Sequence, residues 1–324
     1  MTPAAGPLTV YPLSMRSAIL VLLLAGTVGP AMAQQEALSG AFAAARAQDF
    51  SSVPVSVPLG RLILRRFAPV ELSEPDNFDS NDGFRRKLLE PANSDRWLVP
   101  TVQGGILLVV EKGYLDAAEL DRVCVDLQEA VEAVPRLTGR APRLRGRFTV
   151  YVYDDGPMSE ADVPGARPGE KGLMLRFVKD KADPLFHEMT HLLAGHGGSQ
   201  SLNEGIADWV QSRMRPGRST AFMPAGADPH AKARAALEAY PPAFRETIGA
   251  PGFYRWSGAE IRFDFYYCSW SFADFLLRQG DMPRFWSVLE AEGKPEAYLA
   301  AYGRSHDALV SEWAAEVGGR SQKR

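Results

Sequence analysis

Between Leu115 and Leu137 apolar side chains return every three or four residues, at Leu120, Val123, Cys124, Leu127, Val131 and Val134. That spacing gathers them on one stripe of a long amphipathic helix. Residues 143–155, RLRGRFTVYVYDD, instead alternate through Phe148, Val150 and Val152, the two-residue period of a strand. KGLMLRFV (171–178) is a second strand candidate, and RLILRRF (61–67) and GILLVV (105–110) are shorter strand-like pieces. Helical patterning returns at Tyr266–Gln279, Pro283–Glu292, Pro295–Tyr302 and Asp307–Val317, with glycine punctuation between. QQEALSGAFAAARAQDF (34–50) has the composition of a short helix, and the region from Ser51 to Pro100 reads mainly as polar, proline-containing loops. No internal repeat is visible.

The N-terminus has a different grammar. Arg16 precedes an apolar run from Ala18 to Val28, followed by small residues at Ala31 and Ala33. This is the order of a secretory signal peptide, with cleavage expected after Ala33 and Met15 as a natural start. The apolar core is too short for a hydrocarbon layer of about 30 Å, so no stable membrane anchor is expected after cleavage. The expected location is exported, periplasmic or secreted, in a bacterial setting. In an oxidising compartment Cys124 and Cys268 either pair or lie separately buried. Neither belongs to a CxxC, which excludes a thiolate zinc site.

The chain has 324 residues, 46% hydrophobic and 23% charged, with a formal net charge of −3. These are the values of a globular protein large enough for a sizeable core. No basic stripe marks a nucleic-acid partner. DNFDSNDG (76–83) invites comparison with a calcium loop, but counting back from Gly83 puts Phe78 and Ser80 where ligands are needed. It reads as a solvated turn.

Three of the five histidines fall in FHEMTHLLAGHGGSQSLNEGIAD, Phe186 to Asp208. His187 and His191 are four apart, so on a helix both imidazoles lie on one face, one turn apart. Glu188 sits beside that face, where its carboxylate reaches a water on a shared metal but not the metal. This is HExxH, the zinc-metallopeptidase helix. Neutral imidazole nitrogens bind Zn²⁺ at about 2.0–2.1 Å and the ion brings its water to a pKa of about 7, within reach of Glu188 as general base. A catalytic zinc needs a third protein ligand. His196 fails the metzincin pattern, because Ala194 and Gly197 stand where that pattern needs Gly and His. Glu204 is the better candidate. Gly195, Gly197 and Gly198 let the chain turn back, and a second helix, capped by Ser201 or Ser199 and starting near Leu202, would carry Glu204 in its first turn. Asp208, four residues on, can accept the other ring N–H of His187. The competing reading is a capping box, in which the carboxylate of Glu204 would merely bond back to the helix start.

HEMTH followed closely by NEGIAD resembles the gluzincin clan of zinc peptidases, the thermolysin-like group. The short gap between the motifs is similar to that of compact bacterial families described as peptidase MA-like. YCSWSF (267–272) with ADFLL after it resembles their following helix, and LVSEWAAEV (309–317) their closing segment. The resemblance covers roughly residues 105–317. It implies an α+β fold with a small mixed sheet packed on the HExxH helix, followed by a mainly helical C-terminal subdomain. With the N-terminal pattern, the chain is expected to divide into a signal peptide (1–33), an N-terminal extension (34–100) and a gluzincin-like catalytic domain (101–324). The resemblance implies one Zn²⁺ per chain on His187, His191 and Glu204, with Glu188 as base and Asp208 orienting His187. Tyr266, or Tyr267 beside it, would donate to the oxyanion. His230 and His306 are expected at the surface. The strand at GLMLRFV would be the sheet edge that receives an extended substrate. The expected activity is hydrolysis of peptide bonds in a peptide or protein substrate. Hydrolysis of esters or cell-envelope amides at the same site, or a non-enzymatic binding or assembly module that kept the fold, are the alternatives.

Overall fold

The computed structural model of the protein describes residues 57–59, 62–66, 82–102, 104–144, 146–166, 169–179, 183–216, 228–252 and 259–319, with only the backbone for the first two ranges and for 241–243 and 259–261. The expected signal peptide, the helix at 34–50 and the DNFDSN portion of the acidic turn lie outside these residues. Asp82 and Gly83, the end of that turn, open a helix, α1 (Asp82–Leu89).

The fold is α+β, as expected. Strands β1 (Val57–Leu59), β2 (Leu62–Arg66), β3 (Ser94–Thr101), β4 (Gly104–Glu111), β5 (Gly146–Val152), β6 (Glu160–Pro164) and β7 (Lys171–Leu175) line up in the order β1-β2-β3-β4-β5-β7-β6. β3 and β4 form an antiparallel hairpin around residues 102–103, so the sheet runs without a break across residue 100. β4, β5 and β7 are parallel, and β6 closes the sheet antiparallel to β7. Buried parallel strands need apolar residues on both faces. That is why GGILLVVE in β4 reads as one apolar run, with all six residues from Gly105 to Val110 buried.

Helix α2 (Ala117–Thr138) is the crossover between β4 and β5. Its ends are written in the sequence. The Asp116 carboxylate accepts from the Glu119 N–H at 2.8 Å and the Glu119 carboxylate accepts from the Asp116 N–H at 2.8 Å, a reciprocal cap. Gly139, at φ 64°, ends the helix in the left-handed region that glycine adopts without strain. The predicted stripe of α2 packs on Ile106, Leu108, Phe148 and Val150, while the opposite sheet face packs Leu107, Val109, Tyr151 and Met174 against Leu88 and Leu89 of α1.

The remaining helices are α3 (Leu185–Ala194), α4 (Gln200–Met214), α5 (Pro229–Ala239), α6 (Pro241–Thr247), α7 (Ala259–Gln279), α8 (Met282–Glu290), α9 (Pro295–Tyr302) and α10 (His306–Gly319). One continuous apolar core runs from Trp97 in β3 through α2, α3, α4 and α7 to Trp313 and Val317 in α10. Truncating a core aromatic such as Trp313, which packs on Phe272 of α7, to alanine removes about 3–5 kcal/mol. Cys124 and Cys268 are both buried as free thiols. Among the described residues no helix is long and apolar enough to cross a membrane.

Candidate metal centre

Helix α3 carries the two motif histidines and is buried on every side, as a helix at the centre of a fold must be. It lies between β6 and β7 on one side and α2 and α4 on the others. The rings of His187 and His191 meet edge-on with centroids 4.8 Å apart, and their Nε2 atoms are 3.1 Å apart.

The return to α4 depends on Gly197. A β-carbon there would run into the carbonyl oxygen and side chain of Leu289 in α8, so only glycine lets the turn pass. The Asn203 side chain then closes the loop, accepting from the Gly197 N–H at 2.8 Å and donating to its carbonyl at 2.7 Å. α4 starts at Gln200, two residues earlier than expected, which moves Glu204 out of the first turn. Ser199 occupies the cap position without a side-chain cap bond. The hydroxyl of Ser201 instead accepts from the Gly249 N–H at 2.6 Å.

With no cap to complete, the Glu204 carboxylate faces the histidines. Its Oε2 lies 3.1 Å from His187 Nε2 and 3.5 Å from His191 Nε2. One turn further along α4, Asp208 Oδ1 is 2.8 Å from His187 Nδ1. That contact assigns the Nδ1–H tautomer to His187 and aims its Nε2 lone pair at the other two groups. A further turn along, Gln211 Oε1 accepts from the backbone N–H of His187 at 3.0 Å, and Gln211 Nε2 donates to the Asp183 carbonyl at 3.0 Å.

The electrostatics are those of a buried, acid-rich pocket. Burial raises the Glu188 carboxyl to about 7, with His187 opposing and Glu204 and Glu160 adding to the rise. Burial lowers His191 to about 4 against the pull of Glu204. Burial would raise Glu204, but His191 and His187 hold it well below the usual carboxylate range. For His187 burial is outweighed by Asp208 and Glu204, and its imidazole is pushed well above the ordinary value. The second oxygen of Asp208 is buried with no hydrogen-bond partner among the described residues.

His187, His191 and Glu204 can hold a metal ion. Separations of 3.1, 3.1 and 3.5 Å are close to the edge of about 3.3 Å that a tetrahedron with bonds of about 2.0 Å requires. The donor set also suits a cation. Three carboxylates, those of Glu188, Glu204 and Asp208, crowd two imidazoles in a space largely closed to water, and buried charge of one sign calls for a counter-charge. A cation held here would displace the proton that His187 otherwise attracts. Comparison with protein-family models and with curated proteins finds no match for this chain.

Other expectations meet mixed outcomes. Tyr266 stands beside the trio, its ring centroid 6.5 Å from that of His187, whereas Tyr267 is buried with Lys232 over its ring. His196 is outside the ligand group. Its ring stacks on His191 with centroids 4.7 Å apart, and its Nε2 lies 3.4 Å from Asp162 Oδ2. His230 and His306 are not free surface residues. His230 bonds Ser271 Oγ at 2.9 Å and lies 3.3 Å from Asp274, and His306 is buried with its Nε2 donating to the Ile248 carbonyl at 2.7 Å. The expected sheet edge also moves. β7 is flanked by β5 and β6, and the strand at the edge is β6, which packs against α3 and carries a bulge at Asp162. EADVP gave little warning of a strand, because acidic residues and a proline suit only an edge.

Proposed function

We propose that the protein is an exported, zinc-dependent metallopeptidase of the gluzincin type, with His187, His191 and Glu204 as zinc ligands. The observation that carries this reading is the convergence of Glu204 Oε2 on both Nε2 atoms, within 3.5 Å of each. Two imidazoles and one carboxylate, leaving a corner open, is the ligand set of catalytic zinc rather than structural zinc. A zinc ion in this place supplies a Lewis acid and brings water to a pKa near 7.

The chain's own groups do the rest. Asp208 holds the His187 ring by its Nδ1–H. The Glu188 carboxylate, buried beside His187, takes a proton from the attacking water as its oxygen adds to the substrate carbonyl carbon. It then passes that proton to the amide nitrogen as the C–N bond breaks, leaving a carboxylate and an amine. The Tyr266 hydroxyl donates to the carbonyl oxygen as negative charge develops there. Among the described residues β6 ends the sheet, beside α3 and with Glu160 close enough to raise Glu188, and such an edge suits an extended peptide added as a further strand. Export rests on the N-terminal pattern of Arg16, the apolar run and Ala31-x-Ala33.

The test is metal analysis of the purified protein beside His191→Ala and Glu204→Ala, with activity on casein, small esters and peptidoglycan. About one zinc per chain is expected, lost in both variants, with casein cleaved by the wild type and not by Glu188→Gln. A Glu204→Ala variant that holds zinc like the wild type removes the ligand assignment. Activity on esters alone removes the peptidase.

A further inference from the structure

We infer that Gln211 is a positioning residue that fixes the register of α3 against α4 and thereby places the His187 ligand, an inference that rests on the metal reading above. The first turn of a helix leaves backbone N–H groups without intrahelical partners. In α3 that turn is wholly buried, and Pro184 at the cap position has no acceptor side chain, so water cannot serve these donors. Asp183 Oδ1 accepts from the Leu185 N–H at 3.0 Å. The His187 N–H is served from another helix, by Gln211 Oε1. The other end of the same amide donates to the Asp183 carbonyl. Gln211 is almost fully buried and both ends of its amide are used on the two residues that frame the start of α3.

The placement of Gln211 on α4 gives this cap a second consequence. Glu204, Asp208 and Gln211 are four and then three residues apart, on one face of the helix. All three act on His187, at Nε2, at Nδ1 and at the backbone N–H respectively. At about 1.5 Å of rise per residue, these contacts span about 10 Å of α4. Docking α4 therefore completes the ligand trio, the ring orientation and the helix start together. Asp208 stops the ring from rotating but does not hold the backbone. Without Gln211 the His187 N–H, in the first turn of α3, loses its buried acceptor. His191, a turn further in, keeps its ordinary helical bonds. The loss falls on one ligand of the three.

The experiment is a cobalt(II) titration of the full chain, followed by visible absorption, for the wild type, Gln211→Met and Gln211→Asn. Thr138→Val serves as a control, since Thr138 is buried in the last turn of α2 with its hydroxyl on Val134. Gln211→Met removes both amide contacts at nearly constant volume. It is expected to weaken cobalt binding about ten-fold or more and to alter the intensity of the cobalt absorption bands. Thr138→Val, whatever it costs in thermal midpoint, should leave affinity and bands as in the wild type. Where Gln211→Met does not fold, Gln211→Asn, which draws the amide back by one methylene, decides, with the same loss expected. A folded Gln211 variant with wild-type affinity and bands overturns the inference and leaves the proposed function standing. A wild type that binds no cobalt overturns both.

Discussion

A β-carbon placed on Gly205 would lie closer to the Ser269 carbonyl oxygen than any real contact allows, and 2.9 Å from the β-carbon of Ala273. The backbones of α4 and α7 are therefore in near contact one residue beyond Glu204. Glycine inside a helix normally costs up to about 1 kcal/mol relative to alanine. Here the missing side chain is what lets Glu204 approach the histidines. Gly205→Ala should destabilise by about 1–3 kcal/mol, because overpacking against backbone outweighs the propensity gain, and it should weaken metal binding as α4 moves outward. Denaturant unfolding checks the first effect and metal titration the second. A variant that is more stable than the wild type would show that α4 and α7 are not in contact.

The Tyr266 ring, 6.5 Å from His187 between centroids, separates two roles that its place in an aromatic helix confounds. If its hydroxyl donates to the developing oxyanion, Tyr266→Phe keeps the packing and removes one donor. Losses of about 10²–10³ in kcat are typical for such a donor. The expected outcome is a fall of that order in kcat on a peptide substrate, with metal content and thermal midpoint unchanged. Unchanged kcat in Tyr266→Phe makes the tyrosine a core residue only.

The sequence carried the parts of this fold that repeat or that use a local code. Leu115–Leu137 was legible because its apolar period is unbroken, and Asp116 and Gly139 mark the ends of the helix that forms there. His187 and His191 were legible because four residues is one helical turn. Glu204 and Asp208 followed from the same spacing, although the helix that bears them begins at Gln200 and not near Leu202. What was hidden depends on partners distant in the chain. β3 contains Asp95 and Arg96, and its strand state comes from pairing with β4. His230 reads as an isolated polar residue until α7 brings Ser271 and Asp274 to it. Gln211 acts on a backbone N–H, and a backbone group leaves no mark in residue identity. Its one trace is a position three residues beyond Asp208 on the ligand face.

Asp183 provides a pH-dependent check on how the start of α3 is held. Burial raises its carboxyl from 3.8 to about 6; Asp126 adds to the rise, and the Leu185 N–H and Arg122 oppose it. The group is 3% exposed, so the cost of ionising it is felt by the fold. Because the folded value lies above the unfolded one, the native state binds more protons between about pH 4 and pH 6. Stability from this group is therefore complete below about pH 4 and falls as pH rises, by roughly 3 kcal/mol for a shift of about two units. Asp183→Asn keeps an oxygen for the Leu185 N–H and cannot titrate. Arg122 already opposes the rise in the wild type, so the net expectation is that the variant gains on the wild type as pH rises from 4 to 7. Denaturant unfolding of both proteins across that range, with a chelator present so that metal linkage is absent, measures the difference. If the two stability curves stay parallel throughout, burial at the start of α3 does not raise the Asp183 carboxyl.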